Sequence, residues 1–324
     1  MERNVVTISP ASLQTLRSSF GARLQENVSL KRYTAARIGG EADVMITVDN
    51  SGELAEVTKL CWKLAIPFTI LGSGSNVLVS DAGVRQVVVL NHAKKIIFNP
   101  HSQPAVVWAE SGANFGALAR QAAVKGLSGL EWAAGIPGTV GGAVYGNAGA
   151  HGSDMSCNLV MANILHLKPI NNDHQHEILQ EEWSVERFEY AYRSSSIKRQ
   201  PGQVVVLSAQ LKLEQSTPEA VQAKMDEYKL MRRNSQPSGA SLGSIFKNPP
   251  GDYAGRIIEA AGLKGKKLGK VEISRKHANF FINQDSATAS DYAALIRLVQ
   301  NEVGEKFAVK LELEIELLGD WKDR

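Results

Sequence analysis

The chain has 324 residues, 44% of them hydrophobic, and its 36 lysines and arginines against 33 aspartates and glutamates leave a net charge of +3. This length and hydrophobic fraction exclude a long disordered chain and suggest roughly two domains with substantial cores. The even charge balance does not by itself predict nucleic-acid binding, and two cysteines, Cys61 and Cys157, are too few for a disulfide framework or a four-cysteine zinc site.

Apolar periodicity divides the first 125 residues into alternating helices and strands. It predicts, in order, a helix over Ala11–Phe20, a strand over Asp43–Val48, a helix over Glu53–Leu64, strands over Pro67–Leu71, Val77–Val79, Val84–Leu90 and Val106–Ala109, and a helix over Phe115–Val124. This alternation favours a mixed α/β unit.

The second half of the chain is predicted to hold longer elements. They are strands over Leu159–Leu167 and Val204–Leu213 with a polar stretch at Asn171–Glu182 between them, helices over Ala220–Arg233, Gly255–Ala261 and Asp291–Phe307, and a closing alternating strand over Val309–Leu317. The loop Asn234–Leu242 contains a proline and a glycine and indicates the boundary of a second region.

Glycine is concentrated in one segment. Seven of the 28 glycines lie between Gly135 and Gly152, and residues 132–153 contain no Asp, Glu, Lys or Arg. An uncharged run of this length raises the question of a membrane span, but its glycines and Pro137 make it a weak helix. Apolar residues such as Val140 argue against a disordered linker. Because ordering so much glycine is costly, we expect this backbone to lie against a flat ligand or a diphosphate.

A second glycine-rich turn, GSGSN at residues 72–76, follows the predicted strand at Pro67–Leu71. Such a turn brings backbone N–H groups close to a phosphate. It is not the Rossmann fingerprint, because Val77 stands where the third glycine belongs, a strand follows instead of a helix, and no acidic residue lies about 20 positions on. A plain tight turn and a phosphate cradle of another kind both remain open.

Two polar segments are candidates for catalysis or binding. Tyr192-Arg193 offers a planar, two-pronged contact to a carboxylate, although a solvated loop is the ordinary interpretation. The sequence GSIFKNPP at residues 243–250 predicts a rigid polar turn. It lacks the Gly-x-Ser-x-Gly pattern of a hydrolase nucleophile, so Ser244 is either part of a structural turn or a positioned proton donor.

Charged residues supply further candidates. Residues 264–276 hold six cations and one acid, which predicts either a solvated surface or attraction of an anionic substrate or of nucleic acid. Glu312, Glu314 and Glu316 alternate with apolar residues, so a strand would place all three on one face, usually a wet one. A carboxylate that instead points into a pocket acquires a raised pKa and can act as an acid. His174 and His176 have no third ligand, so no metal site is predicted.

These motifs match one enzyme family in order and spacing. They are GSGSN at 72–76, GIPGTVGGA at 135–143, NAG at 147–149, YR at 192–193, GSIFKNP at 243–249, AGLKG at 261–265 and HANF at 277–280. The chain resembles the UDP-N-acetylenolpyruvoylglucosamine reductases over about Asn27–Gly319. The first motifs also resemble the wider vanillyl-alcohol-oxidase type of FAD fold.

The resemblance implies an α+β fold, with a two-part FAD-binding region of the PCMH type and a smaller α/β substrate-binding domain. The implied boundaries are residues 1–90 for the first FAD-binding subdomain, joined by the C-terminal tail 318–324, residues 91–215 for the second, and residues 216–317 for the substrate-binding domain.

It also implies non-covalent FAD, with NADPH as the reductant. The residues expected to bind FAD are Arg37, Gly39, Gly40, Leu71, Gly72, Ser73, Gly74, Ser75, Asn76, Val77, Gly135, Ile136, Pro137, Gly138, Thr139, Gly141, Gly142, Ala143, Asn147, Ala148 and Gly149.

The implied reaction is reduction of an enolpyruvyl ether on UDP-N-acetylglucosamine to the lactyl ether in peptidoglycan precursor synthesis. Arg193 and Glu314 would stabilise the charge that develops on the substrate carboxylate, and Ser244 would donate the proton, polarised by Lys247 or a water. The residues expected to bind the substrate are Tyr192, Lys247, Asn248 and Lys264.

Three features depart from the family or subdivide it. Glu316 stands where the family usually has arginine, and GKVEIS at 269–274 replaces a small glycine/alanine step. Only 51 residues separate Arg193 from Ser244 (244 − 193), which indicates the shorter subtype.

The implied partner is a UDP-sugar, with neither nucleic acid nor membrane insertion. The N-terminus has no apolar signal-peptide core, which predicts a cytoplasmic protein. The oligomeric state stays open, with a monomer as one alternative. Two rival functions remain at this stage: another FAD-dependent sugar or lactone oxidase of the same fold, and a non-catalytic nucleotide or nucleic-acid binder.

Overall fold

The computed structural model describes residues 8–170 and 175–321. The first region contains α1 (Pro10–Phe20), β1 (Leu24–Ser29), β2 (Glu41–Val48), α2 (Ser51–Lys63), β3 (Phe68–Leu71), β4 (Val77–Val79) and β5 (Val84–Asn91). Its sheet has the order β1-β2-β5-β3, in which β1 is antiparallel to β2 and the other pairs are parallel.

The valine run of β5 is apolar throughout because both of its faces are buried. Val87 and Val89 belong to the cluster that contains α2, whereas Val88 and Leu90 belong to a second cluster on the other face. The parallel pairs of this sheet, with α2 packed on one face, agree with the mixed α/β unit that the alternation favours.

The second region is an antiparallel sheet with helices on one side. Its elements are β6 (Ile96–Asn99), β7 (Ala105–Glu110), α3 (Phe115–Val124), β8 (Leu127–Ser128), α4 (Val140–Gly146), β9 (Gly149–Ala150), β10 (Ser153–Asp154), α5 (Met155–Asn158), β11 (Leu159–Ile170), β12 (Gln175–Ser184), β13 (Val204–Gln215) and α6 (Pro218–Ser235). The sheet order is β12-β11-β13-β7-β6, and β8 pairs with the end of β13.

Strand β12 is the main addition to the sequence prediction, which found only a polar stretch at Asn171–Glu182. Ten residues of this edge strand pair with β11. Its polar side chains reach solvent, so it lacks the apolar alternation that reveals a half-buried strand. His174, named above as a metal candidate, lies outside the described residues.

The third region contains α7 (Ala254–Ala260), β14 (Lys267–Leu268), β15 (Val271–Ile273), β16 (Phe281–Asn283), α8 (Ala289–Phe307) and β17 (Glu316–Leu318). Strands β14, β15 and β16 form a small antiparallel sheet that packs with α7 and α8 around one core. Strand β17 returns to the first region and pairs in parallel with β4. Asp81 accepts hydrogen bonds from the first two N–H groups of α8, which also fixes the third region on the first.

The predicted strand over Val309–Leu317 is wrong along most of its length. Only Glu316–Leu318 is strand, and upstream a single bridge joins Leu313 to Phe246. The partner segment ends at Pro249-Pro250, which has no N–H groups to continue a ladder. The three glutamates consequently differ in environment, with Glu312 68%, Glu314 16% and Glu316 44% exposed.

No helix within residues 8–170 and 175–321 is long and apolar enough to cross a membrane.

Candidate active site

The short glycine-rich turn at residues 72–76 joins β3 to β4. Among the described residues, the N–H groups of Ser73, Gly74 and Ser75 donate no hydrogen bond within the chain. Gly74 has a φ of +56°, and a Cβ there would lie 2.1 Å from the carbonyl oxygen of Tyr33. Strand β4 follows the turn directly, which confirms that this is not a Rossmann turn.

The longer glycine-rich segment, residues 135–152, runs alongside this turn. The hydroxyl of Ser75 donates to the carbonyl of Pro137 at 3.3 Å, and a Cβ at Gly72 would lie 2.7 Å from Thr139 Oγ1. Thr139 caps α4 by accepting a hydrogen bond from the N–H of Gly142. The N–H of Gly138 has no acceptor among the described residues. The two segments therefore form one surface with free backbone donors.

Several of the predicted FAD residues owe their lack of a side chain to internal packing. A Cβ at Gly141 would lie 2.8 Å from the Cβ of Ser111, and one at Gly149 would lie 2.6 Å from the Cβ of Asp154. Gly142 differs, because the nearest atom to its Cβ position is Thr139 Oγ1 at 3.5 Å. The glycine concentration thus reflects both close backbone packing and open surface.

The loop that precedes β2 completes this surface. The N–H of Ala35 donates to the carbonyl of Gly74 at 3.0 Å, and the N–H of Gly40 donates to Ser80. Gly39 has a φ of +143° with Val79 2.8 Å from its Cβ position, so glycine is required there. Arg37 is exposed beside it. The N–H groups of Ala35 and Gly40 are used inside the chain, so the donors that suit a diphosphate are the free ones of residues 73–75 and of Gly138, which supply positive partners without charged side chains.

Asn147 joins the glycine surface to Arg193. Its backbone is left-handed, with a φ of +47°, and ends α4. Its side-chain amide donates to the carbonyl of Ala191 at 3.1 Å and to Asp154 at 3.2 Å. In the same turn, the hydroxyl of Ser195 donates to the carbonyl of Tyr145 at 2.6 Å. The turn that carries Arg193 is thereby held on α4 and the residues that follow it.

Arg193 and Glu314 form a partly buried ion pair. Arg193 Nε lies 2.8 Å from Glu314 Oε1. The two groups attract by charge, but their alignment is not that of a hydrogen bond, so the Nε–H forms no hydrogen bond with the described residues. The guanidinium also donates to the carbonyl of Gly149 at 3.1 Å. Burial raises the pKa of Glu314, and the charge of Arg193 opposes that rise, followed by Lys198 and Lys247. Glu314 therefore shows the raised pKa that is expected of a carboxylate in this run when it points inward.

Ser244 lies at the start of a short extended segment beside Glu314. Its backbone bridges to Phe280, and the carbonyl of the next residue, Ile245, accepts a hydrogen bond from the N–H of Glu314 at 2.8 Å. Lys247 Nζ lies 3.4 Å from Glu312. Arg193, Glu314 and Ser244, which come from three separate parts of the sequence, are brought together here.

The predicted substrate residues divide into two groups. Tyr192 is 53% exposed, and its hydroxyl oxygen accepts a hydrogen bond from the N–H of Asn248 at 3.4 Å. Asn248 also accepts a hydrogen bond from the N–H of Ala254, at the start of α7. Lys264 instead pairs with Glu259 at 2.7 Å, and no described contact joins it to the other three.

The cationic run at residues 264–276 is partly paired within the chain. Besides Lys264, the side chains of Lys267 and Arg275 lie 3.4 and 3.5 Å from Glu272. Lys276 donates to the carbonyl of Arg233 at 2.6 Å, which leaves its charge in place. Two carboxylates thus serve three of the six cations, and the run keeps a net positive charge.

Sequence reasoning missed a charge pair and a buried cation. Lys198 Nζ lies 2.8 Å from Glu316 and 6.0 Å from the centre of the Tyr145 ring. Burial, together with the charge of Glu316, raises the pKa of Tyr145 to about 12. Arg232 in α6 lies 3.6 Å from the Cβ position of Gly135, and burial lowers its pKa. Neither pair of neighbours is close in sequence, so no local motif could have revealed them.

The described residues contain no group of three His, Cys, Asp or Glu side chains arranged to hold a metal ion. The free N–H groups on the surface formed by the two glycine-rich segments fit FAD, and the fold is the FAD-binding PCMH type. The class of protein defined by this fold and site is therefore an FAD-dependent oxidoreductase.

Comparisons with known proteins specify the family. The FAD binding domain family matches residues 42–173, and the C-terminal domain of UDP-N-acetylenolpyruvoylglucosamine reductase matches residues 235–318. The chain is 41% identical over 291 residues to that reductase from Rubrobacter xylanophilus, covering 90% of this chain and 94% of the relative. It is 39% identical over 302 residues to reductase 2 of Bacillus cereus, covering 93% and 94%.

A solved structure agrees with the sequence relatives. The UDP-N-acetylenolpyruvylglucosamine reductase from Thermus caldophilus superimposes with a TM-score of 0.73 at 34% identity, covering 91% of this chain and 99% of that one. The chain belongs to the UDP-N-acetylenolpyruvoylglucosamine reductase family.

Proposed function

We propose that this protein reduces the enolpyruvyl ether of UDP-N-acetylglucosamine-enolpyruvate to the lactyl ether, UDP-N-acetylmuramate, in cytoplasmic peptidoglycan precursor synthesis. The observation that carries the proposal is the convergence of Arg193, Glu314 and Ser244 next to the glycine-rich surface. When bound, FAD accepts a hydride from NADPH and delivers it to the terminal vinyl carbon of the substrate.

The free N–H groups of residues 73–75 and of Gly138 would hold the FAD diphosphate, with the rest of the predicted cofactor residues around it. The neutral wall from Gly135 to Gly149 suits a flat ring system, because no charged side chain from that stretch has to be desolvated against it.

Arg193 would bind the substrate carboxylate. Its Nε–H forms no aligned hydrogen bond with the described residues, and a guanidinium matches a carboxylate in planar geometry. Hydride addition moves negative charge onto that carboxylate, where a preformed cation stabilises it. Glu314 would share this role as a hydrogen-bond donor. A second carboxylate beside Arg193 raises the proton affinity of Glu314, which burial already favours.

Ser244 would complete the reaction by donating a proton to the carbon that carries the ether oxygen. The balance is one hydride at the terminal carbon and one proton at its neighbour, after which the serine regains a proton from solvent. Serine is a weak acid, so it requires a polarising neighbour. We assign this role to Lys247 or a water; the lysine lies in the same segment but faces Glu312.

Tyr192, Lys247, Asn248 and Lys264 would bind the nucleotide sugar, and residues 1–90 with 318–324, 91–215 and 216–317 would form the three domains. In support, Leu318 packs in a core cluster of the first region, whereas α7, α8 and β15 share another cluster, to which Ala36, Ile38 and Leu78 of the first region also contribute. No nucleic-acid or membrane partner is part of the proposal.

The experiment separates the two half-reactions on the FAD-loaded protein. Under anaerobic conditions NADPH should bleach the flavin absorbance, and the enolpyruvyl substrate should restore it. Ser244→Ala should leave bleaching unchanged and slow reoxidation by at least about 10²-fold, the typical contribution of an acid–base group. Ser238→Ala, at an exposed serine in the preceding loop, is the matched control.

A protein that cannot be reconstituted with FAD, or whose reduced flavin is reoxidised by oxygen but not by the enolpyruvyl substrate, would contradict the proposal. The second result would favour a sugar or lactone oxidase of the same fold.

A further inference from the structure

Asn279 is an almost fully buried polar residue that holds the segment carrying Ser244. Only 2% of it is exposed, and both ends of its side chain bond to one residue, Phe246. The amide Nδ2 donates to the carbonyl of Phe246 at 2.8 Å, and Oδ1 accepts from the N–H of Phe246 at 2.9 Å. The backbone carbonyl of Asn279 accepts a third bond, from the N–H of Ile245 at 2.9 Å.

These contacts supply the hydrogen bonds that a neighbouring strand would otherwise make. Residues 244–247 have the Glu312–Glu314 segment on one side, where the N–H of Lys247 donates to Glu312 and the N–H of Glu314 donates to Ile245. On the other side a backbone bridge reaches only as far as Ser244 and Phe280. The carboxamide of Asn279 extends that side by one residue, because asparagine is both donor and acceptor.

We propose that Asn279 is a positioning residue for proton transfer, and that it fixes the distance between Ser244 and Glu314 through the backbone of Ile245 and Phe246. This inference rests on the proposed function. Ser244 lies two residues before Phe246, and the hydrogen bond from the N–H of Glu314 reaches Ile245 between them. A shift in the contacts between Asn279 and Phe246 therefore moves Ser244, the proton donor, relative to Glu314, which stabilises the substrate charge.

The side chain of Phe246 has no room to move and so cannot compensate for lost hydrogen bonds to Asn279. Phe246 is fully buried and packs edge-on against Phe281 at 6.2 Å between ring centres. Removing the Asn279 amide would leave a buried N–H and a buried carbonyl without partners, which is costly. The segment would then shift to recover those bonds, and a displacement of about 1 Å at a reacting group costs on the order of 10²-fold in rate.

The test uses Asn279→Ala and Asn279→Asp in the FAD-loaded protein. Aspartate keeps the size and one acceptor but, when ionised, does not donate to Phe246, so it remains usable if alanine fails to fold. Both variants should be reduced by NADPH at the wild-type rate. Both should be reoxidised by the enolpyruvyl substrate on the order of 10²-fold more slowly. The substrate concentration for half-maximal perturbation of the flavin spectrum should change little.

The matched control is Asn158→Ala. Asn158 is also buried, at 6% exposure, and also bonds through both ends, to the indole N–H of Trp132 and the carbonyl of Lys212. Because it lies away from Ser244, its loss should lower the melting temperature without slowing reoxidation selectively.

Combination with Ser244→Ala gives the decisive comparison. If Asn279 acts through Ser244, then Asn279→Ala should add almost nothing to the reoxidation defect of Ser244→Ala. Additive defects, or equal loss of both half-reactions, would overturn the inference. Failure of the wild-type protein to react with the enolpyruvyl substrate would instead contradict the proposed function.

Discussion

The glycine-rich surface and the Arg193–Glu314 site adjoin each other but are built from different parts of the chain. The surface offers the free backbone N–H groups of residues 73–75 and of Gly138, in two segments where several positions have no room for a Cβ. The site offers charged and hydroxyl side chains, each held by its own backbone contacts. A backbone site should therefore fail when a methyl group is added, and a side-chain site should fail when functional atoms are removed.

The largest expected effect is at Glu314. Glu314→Ala should slow reoxidation by the enolpyruvyl substrate on the order of 10²- to 10³-fold, as for loss of a preorganised donor, while reduction by NADPH is unaffected. Glu314→Gln, which keeps a neutral donor, should lose less. Stopped-flow absorbance of the flavin measures both steps.

The pH dependence sharpens this prediction. Burial raises the pKa of Glu314, so the donating, protonated form persists above the usual range of a glutamate. In the wild-type protein, reoxidation should slow as pH rises through that pKa. Glu314→Gln should lack this limb. An unchanged pH profile would show that Glu314 does not act as a donor.

Gly74→Ala tests the backbone site. Its φ of +56° and the 2.1 Å approach to Tyr33 force the turn to move, at a cost of about 1–3 kcal/mol for the strained backbone alone. FAD affinity should fall at least about tenfold, the equivalent of about 1.4 kcal/mol. Equilibrium titration of the apoprotein with FAD measures it. Wild-type affinity would mean that the turn does not contact the cofactor.

Gly142→Ala and Gly146→Ala separate cofactor contact from internal packing. Both glycines lie in α4 with no atom closer than 3.5 Å to the Cβ position, so both substitutions should be tolerated by the chain. We expect Gly142→Ala to weaken FAD binding. Gly146→Ala should keep the affinity and add up to about 1 kcal/mol of stability through helix propensity. Equal affinities for FAD would remove Gly142 from the cofactor site.

The smallest effect is expected at the Lys198–Glu316 pair. Glu316 is 44% exposed, so the pair should contribute at most about 1 kcal/mol. Glu316→Gln should change the reoxidation rate by only a few fold. Glu316→Arg, which restores the usual family residue, should cost more because it places a second cation beside Lys198. A defect in Glu316→Gln as large as that of Glu314→Ala would contradict this ranking.

Local pattern predicted most elements whose burial is regular. The helix α6 begins at Pro218 after its N-cap Thr217, two residues before the predicted start at Ala220, and the paired strands β2, β3 and β5 were evident from their valines and isoleucines. The edge strand β12 was not evident from the sequence, because its polar side chains reach solvent and it therefore lacks an apolar alternation. The strand predicted at Val309–Leu317 failed because its partner segment ends in two prolines.

The sequence by itself determined the family and FAD as its cofactor, since glycine, proline and turn residues act over a few positions and their order is written along the chain. Only the tertiary structure showed how the site side chains meet. The family resemblance had named Glu314, and its burial beside Arg193 is the physical difference from Glu312 and Glu316, which alternation alone could not reveal. Asn279 and Lys198 acquired partners at a distance, because hydrogen bonds and ion pairs depend on where folding places atoms and not on spacing along the chain.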